Sequence, residues 1–244
     1  LPLNAEQVQS IADLFEKGQG SQELLDLLEQ QVPPGVDEAA YVKAAFLKDL
    51  ALEKISSELI SPEKSIQMLG TMLGGYSVEA LVEVLKSEKY GSNVVSALKN
   101  TILVYDSFNE IFDLKDSNQH ANEIIQSWAN AEWFTNKKEV EKEIPLTVYK
   151  VSGETNTDDL SPAKEAWSRP DIPLHAQAFL KWSENISDPL EKLTNLKKDN
   201  SKLAFVGDVV GTGSSRKSAA NSVLWHMGDE IPFVPAKKTG GFCF

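Results

Sequence analysis

The chain has 244 residues and a formal net charge of -12, with 41% hydrophobic and 25% charged residues. This composition is typical of a folded globular protein and excludes disorder as the dominant state. No run approaches the roughly 18 to 20 apolar residues of a membrane-spanning helix, and the first residues lack a signal peptide's basic start. The sequence therefore predicts a cytoplasmic protein without a membrane partner. One cysteine, Cys243, excludes an internal disulfide and any cysteine-based metal site supplied by this chain alone.

The negative charge is concentrated in the first part of the chain. Residues 1–143 contain 24 acidic and 12 basic side chains, whereas residues 144–244 contain 12 of each. An acidic surface repels phosphate backbones, so nucleic acid is a poor default partner for the first part. The division of charge predicts two domains, residues 1–143 and residues 144–244.

The first domain has the pattern of an all-helical structure. Its apolar residues recur at helical spacing, as at Val8, Ile11 and Phe15. Residues that favour the N-cap position precede the predicted helices; these are Asn4, Ser21, Asp37, Ser61, Ser77 and Asn118. When the predicted helices are paired as helix–turn–helix units, the units begin roughly 33 to 41 residues apart, as in a HEAT-like α-solenoid. An irregular helical bundle fits the same pattern.

The aromatic residues and histidines form no pattern typical of a site. Trp128, Trp133 and Phe134 are predicted to lie on one helix of the first domain and to serve in packing. The histidines are His120, His175 and His226. Their spacing does not match that of metal ligands, so core or surface roles are expected for them.

From residue 144 the pattern changes to that of an α/β domain. Residues 145–151 alternate and are rich in β-formers, and residues 203–206 resemble a short buried strand. A helix is predicted from about Ser214 to Met227, with extended structure after it. The glycine-rich residues 240–244 are typical of a turn that leads into another element, so we expect an incomplete domain.

The second domain contains both arginines of the chain, Arg169 and Arg216, against 22 lysines. A guanidinium binds a carboxylate or phosphate in bidentate fashion, which a lysine cannot do. Arg216 ends the segment Gly-Thr-Gly-Ser-Ser-Arg, residues 211–216, between a predicted strand and a predicted helix, where free backbone N–H groups favour an anion. Walker A and dinucleotide fingerprints both fail, because Arg216 stands where each needs glycine. The interpretation that remains is a carboxylate site built from backbone amides, two serine hydroxyls and Arg216.

The other polar segment of this domain is residues 153–162, Gly-Glu-Thr-Asn-Thr-Asp-Asp-Leu-Ser-Pro. Neighbouring side chains in a strand or turn diverge, so Asp158 and Asp159 are not expected to form an acid–base pair. A capped turn, in which side chains bond the local backbone, explains the segment without a function. Asp158 is kept as a weak candidate for a functional residue.

These segments resemble the swivelling domain of the aconitases, and residues 32–43 and 167–175 extend the resemblance to the bacterial aconitase B family over essentially the whole chain. In that family a HEAT-like domain precedes the swivelling domain. The resemblance implies an aconitate hydratase that isomerises citrate and isocitrate through cis-aconitate; whether it also dehydrates 2-methylisocitrate stays open. It implies a [4Fe–4S] cluster acting as a Lewis acid, held by cysteines outside this chain, so that this fragment alone binds no metal and is inactive.

The resemblance also assigns roles to individual residues. Ser214 resembles the serine alkoxide that removes the proton α to a carboxylate, and Ser215 helps to hold the substrate carboxylate. Arg216 would pair with that carboxylate, and Arg169 matches a second substrate-binding arginine. Asp158 matches an aspartate of the family. Asp159 stands where other aconitases have histidine, so an acid–base or hydrogen-bonding role at this position is in doubt.

The partners implied are a tricarboxylate substrate and the remaining aconitase domains. An alternative from another class is an interaction module, in which the acidic helical domain binds proteins or forms a homodimer. A third is a regulatory form without the cluster that binds mRNA, although the acidic first domain argues against its being the main RNA contact.

Overall fold

A computed structural model of the chain describes residues 2–101, 104, 107–137, 139, 141–183, 186–198 and 202–244. The chain divides into two compact units, Leu1–Glu139 and Val140–Phe244. Each unit has a hydrophobic core of its own. The first unit is helical and the second combines helices with a parallel sheet, so the prediction of a helical part followed by an α/β part is confirmed. Within the described ranges, no helix has the length and apolar character needed to cross a membrane.

The described residues of the first unit form two layers of helices. The helices are α1 (Ala5–Glu16), α2 (Gln22–Glu29), α3 (Ala40–Ala51), α4 (Pro62–Thr71), α5 (Val78–Leu85), α6 (Gly91–Asn100), α7 (Ser107–Leu114), α8 (Gln119–Ala129) and α9 (Glu132–Thr135). Helix α1 packs on α3, α3 on α5 and α5 on α7, whereas α4 packs on α6 and α6 on α8. Contacts of α3 with α4, α5 with α6 and α7 with α8 join the two layers.

Side-chain caps fix the start of four of these helices. The caps that accept a backbone N–H of the first turn are Asn4, Ser21, Ser61 and Asn118. The prediction is wrong at Asp37, because α3 begins at Ala40 with Ala39 in the N-cap position. Ser77 occupies the N-cap position of α5 but makes no cap hydrogen bond. Helix α6 has no polar cap either, and its start at Gly91 was not predicted.

The three aromatic residues expected on one helix lie on two. Trp128 belongs to α8, packs against the core and donates a hydrogen bond from Nε1 to the Leu98 carbonyl at 3.0 Å. Ala131 has a φ of 52°, a left-handed conformation that separates α8 from α9. Trp133 and Phe134 lie on α9 with exposed side chains, so the predicted packing role is wrong for these two.

The second unit is built on a parallel sheet in the order β1-β2-β5, beside an antiparallel hairpin of β3 and β4. Its elements are β1 (Thr147–Asn156), α10 (Thr157–Leu160), α11 (Ile172–His175), α12 (Pro189–Lys197), β2 (Leu203–Thr212), α13 (Lys217–Met227), β3 (Asp229–Ile231), β4 (Val234–Thr239) and β5 (Phe242–Cys243). Short 3-10 turns cover Ala163–Ser168 and Ala176–Ala178. Phe205 of the central strand and Phe179 meet edge to face in the core, with their centroids 5.8 Å apart.

The carboxyl ends of β1 and β2 lie side by side, since Asn156 and Thr212 are partners in the parallel register. Helix α10 follows β1 directly, and residues 213–216 follow β2. This edge is where ligands bind in parallel α/β sheets. The helix predicted from Ser214 begins at Lys217 instead, because the backbone of its N-cap Arg216 is extended.

Candidate functional site

The site is built from two segments that leave the carboxyl edge of the sheet together: α10 and the loop of residues 213–216, here called the serine loop. Gly213 has a φ of 90°, a conformation that side chains rarely adopt. A Cβ atom at this position would lie 3.4 Å from Oγ1 of Thr157, so the loop runs close to the start of α10. Glycine is therefore favoured here by the backbone conformation, whereas the distance to Thr157 is that of an ordinary contact.

Arg216 connects the serine loop to α10. Its Nη1 donates to Oδ1 of Asp158 at 2.5 Å and to the carbonyl of Ser161 at 3.0 Å, with a longer contact of 3.4 Å to the Thr157 carbonyl. Its Nη2 donates to Oδ2 of Asp158 at 3.2 Å, so the ion pair is bidentate. The Ser161 carbonyl belongs to the C-cap of α10, where a cation is favoured. The guanidinium is thereby held in one orientation.

One edge of this guanidinium stays open. Arginine has five N–H donors, and the contacts with α10 and Asp158 use Nη1 and one hydrogen of Nη2. Among the residues that the structure describes, none accepts a hydrogen bond from Nε of Arg216. The Nε hydrogen and the second Nη2 hydrogen form a fork that matches a second carboxylate. With 18% of its side chain exposed, Arg216 is accessible to such a ligand.

The two candidate serines lie in the serine loop with exposed side chains. No described residue is hydrogen-bonded to the hydroxyl of Ser214 or of Ser215. Both residues precede the N-cap of α13, so the expectation that Ser214 lies in the first turn of the helix is wrong. The loop nevertheless brings both hydroxyls into the segment that carries Arg216.

The two neighbouring aspartates face different partners. Asp158 binds Arg216 and accepts a hydrogen bond from the Ala163 amide at 3.1 Å. The Arg216 guanidinium, helped by that amide and by the charge of Arg169, holds the pKa of Asp158 below its usual value. Asp159 instead accepts from the Asn156 amide at 2.9 Å and completes a capping box at the start of α10. The two carboxyl groups thus have different partners, and Asp159 has a structural role.

Arg169 lies at the end of the first 3-10 turn, close enough for its charge to lower the pKa of both Asp158 and His175. Its Nε is buried and has no hydrogen-bond partner within the described part of the chain. A buried N–H without a partner costs free energy, about 1 to 3 kcal/mol. This cost disappears when a ligand oxygen accepts from the group, so Arg169 is a second candidate for anion binding.

A buried chain of hydroxyls around His175 was not predicted from the sequence. Nε2 of His175 lies 2.7 Å from Oγ of Ser161, and Nδ1 lies 2.8 Å from Oγ of Ser168. Ser161 is in turn 2.7 Å from Oγ of Ser218 in the first turn of α13. Burial, together with the charge of Arg169, lowers the pKa of His175, so its neutral form is favoured. In the sequence, Ser161, Ser168 and Ser218 lie 14, 7 and 43 residues from His175. No local pattern connects them.

Family models match both units. A model described as Aconitate B N-terminal domain matches residues 1–134, and one described as Aconitate hydratase 2 N-terminus matches residues 146–244. The chain belongs to the aconitate hydratase B family. Curated relatives named Aconitate hydratase B are 50% identical in Pseudomonas aeruginosa, 49% in Escherichia coli and 51% in Synechocystis, over 99 to 100% of this chain. The chain spans only 28 to 29% of the length of these relatives.

The [4Fe–4S] cluster that the aconitate hydratase B family implies does not fit the residues of this chain. Such a cluster is held by several cysteine thiolates, and the chain has one cysteine, which is exposed on the short strand β5. In the described ranges no group of three or more His, Cys, Asp or Glu side chains could hold a metal ion. Ligands for a cluster would have to come from outside this chain.

The first unit has a polar groove of about 510 Å³ between α6, α8 and α9. Its charged groups are satisfied by one another, since Lys99 pairs with Glu123 at 2.7 Å and Glu132 accepts from Ser127 at 2.7 Å. None of these contacts indicates a ligand. The edge of the parallel sheet in the second unit therefore remains the candidate site of this aconitate hydratase B chain.

Proposed function

We propose that this chain supplies the substrate-carboxylate-binding residues of an aconitate hydratase that isomerises citrate and isocitrate through cis-aconitate. The observation that carries the proposal is Arg216, held by Asp158 and by α10 with one guanidinium edge open at the carboxyl end of the sheet. The reaction is taken from the relatives, which are aconitate hydratases B. A tricarboxylate fits this edge, because a guanidinium fork binds a carboxylate in bidentate fashion.

The charges of the site favour an anion. Two guanidiniums, of Arg169 and Arg216, act on the single carboxylate of Asp158. Asp158 compensates one of them, and one positive charge remains for a substrate carboxylate. In this proposal Asp158 orients Arg216 and does not itself transfer a proton. Arg169, whose Nε lacks a partner in the described part of the chain, binds a second substrate oxygen.

We assign the proton transfer to Ser214. A serine hydroxyl is a very weak acid in water, so its alkoxide forms only where positive groups stabilise it. Arg216 and the free amides at the start of α13 lie next in the chain and provide such groups. The Ser214 alkoxide takes the proton α to a substrate carboxylate, while the hydroxyl of Ser215 donates a hydrogen bond to that carboxylate.

For the first unit we propose a HEAT-like solenoid. The stacking of α1, α3, α5 and α7 in one layer and of α4, α6 and α8 in the other supports this, because helix pairs that repeat in register produce such layers. Homodimerisation through this unit, mRNA binding by a cluster-free form and a cytoplasmic location remain predictions from the resemblance.

A double substitution in the full-length protein tests the site. We expect Arg169→Lys with Arg216→Lys to lower kcat/KM for citrate by at least about 100-fold, since each bidentate contact is worth roughly 1.5 to 3 kcal/mol. The oligomeric state, measured by size-exclusion chromatography with light scattering, should not change. The matched control is Lys237→Ala, which removes an exposed cation of the same unit and should leave kcat/KM within about twofold. Unchanged activity in the double variant would show that the site is assigned wrongly.

A further inference from the structure

With a neutral ring, the hydrogen bonds around His175 have a single consistent direction. Ser168 donates its hydroxyl hydrogen to the Glu165 carbonyl at 2.8 Å, so its oxygen must accept from Nδ1 of His175. Nδ1 then carries the proton of the neutral ring, and Nε2 is an acceptor. Ser161 donates to Nε2, which leaves its oxygen to accept from Ser218. The order is therefore Ser218 to Ser161 to His175 to Ser168 to the Glu165 carbonyl.

The protonated form of His175 does not fit this order. A hydrogen on Nε2 would have to be donated to Ser161, and the hydroxyls of Ser161 and Ser218 would both have to reverse. The ring is fully buried, and the positive charge of Arg169 acts on it. Both effects oppose a second positive charge. The His175 imidazole is therefore suited to holding its neighbours in place and not to exchanging protons with solvent.

Two links join this series of hydrogen bonds to Arg216 of the candidate site. Ser161 bonds to His175 through its side chain and offers its carbonyl to Nη1 of Arg216 at 3.0 Å. Ser218 bonds to Ser161 and lies two residues after Arg216, in the first turn of α13. Through Ser161, the buried His175 ring is thus connected both to the guanidinium of Arg216 and to the start of α13.

We propose that His175 is a positioning residue for Arg216: through Ser161 it fixes the carbonyl that holds the guanidinium, and through Ser218 it fixes the start of α13. Its effect on catalysis rests on the proposed function, whereas its effect on Arg216 does not. Neither asparagine nor glutamine can replace it fully, because the imidazole uses a nitrogen on each side of the ring, at 2.7 and 2.8 Å. An Asn side chain reaches only the Nδ1 position and a Gln side chain only the Nε2 position.

The carboxyl group of Asp158 reports on the hold over Arg216 in the 244-residue chain, without any activity. Its titration can be followed by carboxyl ¹³C NMR. Arg216→Ala gives the value for complete release, because its guanidinium is the main cause of the lowered pKa of Asp158. We expect Ser161→Ala and His175→Asn, which both break the link to His175 Nε2, to move the pKa of Asp158 part of the way toward that value. His175→Gln, which keeps an acceptor for Ser161, should stay close to the wild type.

Ser168→Ala is the matched control, because it removes a hydroxyl on the far side of the ring and leaves the link to Ser161. We expect it to leave the pKa of Asp158 unchanged, although it removes a buried hydrogen bond of the same kind. If Ser161→Ala and Ser168→Ala shift the Asp158 titration equally, or if neither shifts it, His175 does not position Arg216. Ser161→Ala keeps the ring in place, so the test does not depend on the folding of the histidine variants.

The catalytic consequence is measured separately in the full-length protein. There we expect Ser161→Ala to raise KM for citrate by about tenfold and Ser168→Ala by less than about twofold. If Arg216→Lys leaves activity unchanged while Ser161→Ala still shifts the Asp158 titration, the proposed function fails and the positioning by His175 stands. If Arg216→Lys abolishes activity and Ser161→Ala changes neither the titration nor KM, the positioning fails and the proposed function stands.

Discussion

His226 is the most strongly perturbed titratable residue among those discussed in the second unit. It lies on α13 with 9% of its surface exposed, and its Nε2 donates to the Ala176 carbonyl at 2.8 Å when the ring is neutral. The ring of Phe179 packs against it, with the centroids 4.9 Å apart. Burial lowers the pKa of His226 to about 4, from an ordinary value of 6.5. The folded unit therefore contains a neutral imidazole at every pH above about 4.

This gives the free energy of unfolding a defined dependence on pH. Between pH 6.5 and 4 the unfolded chain binds a proton at His226 that the folded chain does not, so stability falls as the pH falls. We expect His226 to contribute a loss of about 3 kcal/mol between pH 7 and pH 4, at 1.36 kcal/mol per pH unit. Urea unfolding at a series of pH values measures it. His226→Gln keeps a donor to Ala176 without a titrating group, and an equally steep pH dependence in this variant would contradict the account.

At Gly213 the structure predicts that a substitution has a backbone cost and also makes a new contact with α10. The φ of 90° makes Gly213→Ala strained, and the added methyl group would contact Thr157. Gly211 is the matched control, because it has a φ of 83° with nothing within 4 Å of a built Cβ. Both substitutions should lower the free energy of unfolding by about 1 kcal/mol or somewhat more. Only Gly213→Ala should shift the amide resonances of α10, and equal shifts from both would argue against the close approach.

At the scale of elements, the N-caps of the first unit allow a paired comparison. Asn4 accepts from the Gln7 amide at 2.9 Å and forms a capping box, whereas Ser77 occupies the same position before α5 without a cap hydrogen bond. Asn4→Ala should therefore lower the free energy of unfolding by about 1 kcal/mol, and Ser77→Ala by much less. Chemical denaturation followed by circular dichroism measures both. The reverse order would show that these caps are misassigned.

Element boundaries show what could be predicted from the sequence and what could not. The apolar spacing of Val8, Ile11 and Phe15 marked α1 correctly, because a buried face must repeat at the helical period. The second half of β2 was not predicted, since residues 207–212 are largely exposed and belong to the strand through backbone pairing with β1. Backbone hydrogen bonds between distant segments leave no side-chain pattern. The start of α13 was placed too early at Ser214, whereas the helix begins after its N-cap Arg216, whose backbone is extended.

The candidate site, too, could be predicted only in part from the sequence. The two arginines could be predicted as candidates for anion binding, because guanidinium chemistry is a property of the residue itself. The ion pair of Arg216 with Asp158 joins positions 58 residues apart and depends on the parallel pairing of β1 with β2. The bonds of Ser161 with His175 and Ser218 depend in addition on how α11 and α13 pack. Neither arrangement follows from local spacing.

At the scale of the whole molecule, the chain consists of two units with separate cores. The core of the first unit is formed by residues of α1 to α8 and their connections, with Leu47, Leu81 and Leu98 fully buried. Among the residues that the structure describes, none of its members comes from the second unit. We expect residues 1–139, expressed alone, to be helical and to unfold in one cooperative transition, as measured by circular dichroism on heating. A non-cooperative or disordered product would show that the helices depend on the rest of the chain.

In the proposed function, this chain carries a preformed site for a substrate carboxylate at Arg216. The most direct test is NMR titration of the 244-residue chain with citrate or tricarballylate at low salt, following the amides of residues 213–217. The account predicts saturable shifts confined to the serine loop and the start of α13, abolished by Arg216→Ala and retained in Lys237→Ala. Amides that do not move at saturating citrate, or that move equally in Arg216→Ala, would contradict it.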